Sequence, residues 1–163
     1  GPRVQGLPDV HIHLTCDEPI LTKPMIRAVR PPYSDLAEFQ ISVYSKSEII
    51  AEKMRALLQQ QKKWPRPRDL YDLWFILCHS KEPISPVKLR GLFVEKCRVR
   101  RIPPNPRGLV SESLKEWNRG AWGNLLGPML KALPDYERVW TDWSRTCHEL
   151  FRAGFKTSRG RTP

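Results

Sequence analysis

Lys53, Asp69 and Asp72 are the residues whose types and spacing suit chemistry. On a helical wheel with Ile49 at zero, Ala56, Leu57, Ile50 and Met54 fall at about 340°, 80°, 100° and 140°, and Lys53 at about 40°, inside that apolar arc. Glu52, Arg55 and Gln59 take the opposite face, which is expected to be solvated. A lysine within a buried stripe needs a partner or a task. The next segment repeats the anomaly with opposite sign. Leu70, Leu73, Trp74, Ile76 and Leu77 form its apolar face, with Asp69 inside that arc and Asp72 at its edge. A lysine and two carboxylates on a cleft floor suit phosphate contact with proton abstraction. The same pattern serves a structural ion pair, in which Asp69 caps its helix and Asp72 pairs with Arg68 or Lys53.

Two further groups carry weaker signals. His11 and His13 would project to one face of a strand, but no third ligand lies at an identifiable spacing, so they read as polar-face residues beside a cleft. Cys16, Cys78, Cys97 and Cys147 lie far apart without a CxxC pair, as expected of reduced thiols serving mainly in packing.

The elements that must position these groups are marked by proline and by hydrophobic period. Residues 9–17 alternate as a strand, with Val10, Ile12, Leu14 and Cys16 on one side. A Pro-rich connector through Pro31 and Pro32 leads to a second strand at 39–44. Ser45 with Glu48 three residues on is a capping-box signature opening a helix over 46–62. Further helices are expected over 67–80, 87–99, 111–117, 123–133 and 136–151, separated by Pro83, Pro103, Pro104, Pro106 and Pro134. The fold class is α+β: short N-terminal strands, the edge of an incomplete sheet, then a mainly helical bundle. Three regions are expected, a strand-containing 1–44, a helical 45–152 and a basic tail 153–163.

The chain has 163 residues and 28 Lys+Arg against 17 Asp+Glu, a formal net charge of +11. A pI near 9.9 is the electrostatic footprint of a nucleic-acid partner, bound largely through phosphates. The basic residues cluster at Lys62, Lys63, Arg66 and Arg68, at Lys96, Arg98, Arg100 and Arg101, and along the tail. Trp64 in the first cluster could stack on a base or pack under the loop. No segment reaches the length of a membrane span and no signal peptide is legible, so the sequence reads as soluble, cytoplasmic and without a membrane partner. It starts Gly1-Pro2 without Met, as expected of a protease scar or of a piece cut from a longer protein.

Residues 43–57 (VYSKSEIIAEKMRAL) and 68–74 (RDLYDLW) resemble the paired helix signature of the AbiEii-type nucleotidyltransferase toxins of type IV toxin–antitoxin and abortive-infection systems. The likeness continues through Glu18-Pro19, Tyr33-Ser34-Asp35 and residues 133–140 (LPDYERVW). It implies that Lys53 contacts nucleotide phosphates with Arg68 beside it. It also implies that an acidic residue of RDLYD is the catalytic base, either Asp69 or Asp72, with the wheel favouring Asp69 as the more buried. Mg²⁺, an NTP, an RNA acceptor such as tRNA, a cognate antitoxin and a part in antiviral defence follow from the same resemblance. The Gly-Ser-like motif and paired strand carboxylates that hold metal in such enzymes have no counterpart here and are expected upstream of Gly1. Where the family often has a strand carboxylate, residues 10–14 read VHIHL, with His13 in its place. The competing expectation is a catalytically incomplete remnant that binds RNA or protein through a basic surface.

Overall fold

The computed structural model describes residues 18–60, 63–80 and 83–152. Two antiparallel strands, β1 (Met25–Val29) and β2 (Phe39–Val43), precede five α-helices: α1 (Lys46–Gln60), α2 (Pro67–His79), α3 (Pro86–Val99), α4 (Glu112–Leu126) and α5 (Tyr136–Leu150). Short 3₁₀ turns at Pro106–Val110 and Gly127–Met129 flank α4. The fold is α+β, as the patterning predicts.

Sequence chemistry sets the helix starts. Pro67 and Pro86 occupy first-turn positions, where the missing N–H costs nothing. Ser85, Ser111 and Asp135 cap α3, α4 and α5 by accepting the backbone N–H of Lys88, Leu114 and Arg138. At α1 the expected capping box is only half made. The Ser45 hydroxyl accepts the Glu48 N–H at 3.2 Å, but the Glu48 carboxylate turns away to residues 21 and 22.

The core is a single cluster running through all five helices, with Ile50, Met54, Leu57, Leu70, Leu73, Leu89, Phe93, Val139 and Trp143 fully buried. α1 packs on α2 and α3, and α2 on α4 and α5. Buried indoles satisfy their N–H groups: Trp143 donates to the Leu109 carbonyl and Trp122 to the Pro134 carbonyl, both at 2.9 Å. Cys97 and Cys147 are buried and Cys78 exposed, all three as free thiols.

Three expectations need correction or placement. The connector contains β1, which pairs Met25 with Val43 through Val29 with Phe39. The two helices expected over 111–117 and 123–133 are one helix, α4, that runs through Gly120 and Gly123 and ends at Leu126. The strand over 9–17, with His11, His13 and Cys16, and the tail over 153–163 lie outside the described residues. Among the described residues no helix is long and apolar enough to cross a membrane.

Candidate active site

α1 and α2 meet so that the cation of one faces the carboxylates of the other. Lys53 Nζ lies 2.9 Å from Asp69 Oδ1 and 2.7 Å from Asp72 Oδ2. Asp69 is buried; its other oxygen accepts Arg66 Nε, from the residue just before α2. The carboxylate therefore does not cap the helix. Arg66 is itself fixed through its backbone N–H, which donates to Asn118 Oδ1 at 3.0 Å, while the buried Asn118 amide donates to the Leu114 carbonyl at 2.8 Å. Burial works against the Lys53 ammonium, but its hydrogen bonds to Asp69 and Asp72 outweigh that cost and raise its pKa above the ordinary 10.5. Two of its three N–H donors are thus committed, leaving one.

This cluster floors one end of a cleft of about 450 Å³ between α1, the segment at Glu18 and the start of α2. The far end is a second ion network. Glu48, 2% exposed, accepts the N–H groups of Leu21 and Thr22, each at 2.8 Å, the Thr22 hydroxyl at 2.6 Å and Lys96 Nζ at 2.9 Å. Burial pushes the Glu48 carboxyl up, yet these donors together hold it below the ordinary 4.5. Lys96 Nζ also donates to the Pro19 carbonyl at 2.9 Å. Glu18 receives Arg55 and Arg100, each at 2.8 Å, and these guanidiniums offset its burial and lower its pKa as well. Arg55 further contacts Glu52 and Gln59, while its buried Nε has no hydrogen-bond partner.

The face of α1 expected to be solvated is covered at Arg55, which is 7% exposed and pairs with Glu18 and Glu52; Glu52 is half-buried and Gln59 is exposed. The basic cluster at 96–101 is divided: Lys96 is buried on Glu48 and Arg100 pairs with Glu18, while Arg98, beside Glu95, and Arg101 stay exposed.

The structure brings Lys53, Asp69 and Asp72 together and leaves Arg68 apart, exposed on the adjoining groove. Arg66 takes the place expected of Arg68; its i,i+3 spacing to Asp69 is the signal that points to it. Asp69 lines the cleft, whereas Asp72, its side chain 44% exposed, stands outside the lining.

A family model described as the nucleotidyl transferase AbiEii toxin of type IV toxin–antitoxin systems matches residues 2–148. The chain belongs to this AbiEii toxin family. Comparisons with curated proteins and with solved structures found no match. Membership makes this a toxin of nucleotidyltransferase type with a cognate antitoxin as partner. Nucleotidyltransferases generally take an NTP with a divalent metal, but the described part of this AbiEii chain does not fit the metal. No group of three or more His, Cys, Asp or Glu among the described residues is placed to hold an ion. Asp69 and Asp72, the carboxylates nearest the motif lysine, are turned onto Lys53 and Arg66 instead.

Proposed function

We propose that this AbiEii protein transfers a nucleotide from an NTP to RNA, with tRNA the acceptor class, and that the cleft between α1 and α2 is its substrate site. On this reading it acts in the cytoplasm, in antiviral defence, under restraint by its antitoxin. The helical region 45–152 carries both motifs, after the strand-bearing 1–44 and before the basic tail 153–163. The observation that carries the reading is Lys53, an ammonium anchored by two carboxylates with one donor left, on the floor of a cleft large enough for a nucleotide.

In this reaction the acceptor hydroxyl oxygen bonds to the α-phosphorus, the bond from that phosphorus to the bridging oxygen breaks, and pyrophosphate leaves. Lys53 contacts a phosphate oxygen and offsets its charge. Asp69 accepts the proton of the attacking hydroxyl; each of its oxygens keeps a second lone pair beside the bond to Lys53 or Arg66.

A second reading has its own support. Of the cleft's lining, Glu18, Glu48, Glu52 and Asp69 balance Lys53, Arg55, Arg66 and Lys96, as expected where ion pairs serve structure and the basic exterior binds RNA or a protein. Incubation of the protein with Mg²⁺, each labelled NTP in turn and total RNA separates the two. Labelled RNA with one or more NTPs is the expected result; RNA that binds but acquires no label with any NTP supports the binding module.

A further inference from the structure

Trp64 stands further into solvent than the other described Trp, Tyr and Phe side chains, at 70% exposure, although four of the six tryptophans are buried in the core. The N–H groups of Lys63 and Trp64 both donate to the Gln60 carbonyl, at 2.8 and 3.1 Å, and the Arg66 N–H is held by Asn118 on α4. The indole projects from this hydrogen-bonded backbone, with no core to fill.

It walls a groove of about 510 Å³ together with Arg68 and Leu125. The inner side of that groove is made by Gln60, Arg66 and Asp69, which also line the cleft of Lys53. A π-face and a guanidinium therefore lie side by side on a surface continuous with the candidate active site. That combination fits a base and its phosphate, since stacking accepts any base while the cation tracks the backbone. The net charge of +11 favours the same polyanion.

We propose that this groove is the path of the acceptor strand: the RNA end leaves the cleft across the shared wall, stacks a base on Trp64 and sets a phosphate against Arg68. The proposal rests on the transferase reading for its direction, but its test needs no NTP. The full chain is titrated with a fluorescein-labelled, unstructured RNA 12-mer, following anisotropy at several salt concentrations. Trp64→Ala is expected to weaken binding about fivefold or more, while Trp64→Phe keeps most of the affinity because the ring still stacks. Arg68→Ala is expected to lower the salt slope by about 0.7, the loss of one phosphate contact on a single strand. Unchanged thermal melting shows that these exposed replacements leave the fold intact. No RNA binding by the parent chain, or Trp64→Ala binding within twofold of it, overturns the proposal. RNA binding through Trp64 in a protein that transfers no nucleotide upholds the groove and refutes the transferase reading.

Discussion

Glu48 shows how one carboxylate can organise a site from its edge. It ties residues 21 and 22 to the start of α1 and neutralises the buried Lys96. Glu48→Ala leaves that ammonium without its main partner, and the expected loss is about 3–5 kcal/mol in thermal or urea unfolding. Glu48→Gln, which keeps the shape, costs less, about 1–3 kcal/mol. Because the folded pKa of Glu48 and Glu18 lies below 4.5, the unfolded chain takes up protons first as pH falls. Their contribution is full above about pH 4.5 and is lost progressively below it. Unfolding midpoints recorded from pH 7 to 3 should drop below that point, with a shallower drop in Glu48→Gln. Lys53 behaves oppositely: its pKa is raised, so its contribution is full below 10.5 and is lost as pH rises beyond. The thiols give an independent check, since burial pushes Cys97 up to about 11 and Cys147 well above its ordinary range. At pH 8 a thiol reagent is expected to modify the exposed Cys78 well before either buried thiol; equal rates at all three would contradict the packing described.

Among the elements, α4 replaces the two helices expected over 111–117 and 123–133. It passes through Gly120 and Gly123, because Leu114, Asn118, Trp122 and Leu126 bury one face and offset two poor helix formers. A Cβ at either glycine meets nothing within 4 Å. Gly120→Ala is therefore expected to stabilise the protein by about 0.5–1 kcal/mol in unfolding experiments. The contrast with α1 and α2 marks what was legible. Their apolar faces repeat strongly enough that Lys53 and Asp69 stand out as misplaced charges, and the structure pairs them. Arg55 did not stand out, because a wheel knows only its own helix, and its partner Glu18 comes from dozens of positions away. Arg66 lies just before α2 and Arg68 in its first turn, so both are basic residues next to Asp69 in the sequence; the anchoring of the Arg66 N–H by Asn118 and the Nε contact to Asp69 set Arg66 apart. β1 has no alternation to read, since Met25, Ile26, Ala28 and Val29 flank the lone polar Arg27, whereas β2 alternates Phe39, Ile41 and Val43 with polar residues; only its ladder with β2 defines β1.

For the molecule as a whole, charge balance inside and excess outside are separate facts. The cleft lining pairs its cations with carboxylates, whereas the whole chain carries +11. On the proposed reading, RNA affinity comes from the exterior and weakens steeply with salt, while nucleotide transfer depends on Lys53. The most direct measurement compares nucleotide transfer to RNA by the parent protein and by Lys53→Met, which keeps the aliphatic stem and removes the charge, after matched melting curves establish that both are folded. Loss of a motif phosphate contact predicts a rate lower by about 100-fold or more, with RNA affinity unchanged. A folded Lys53→Met that transfers at the parent rate would contradict the account, and Lys53 would then serve only the ion pair with Asp69 and Asp72.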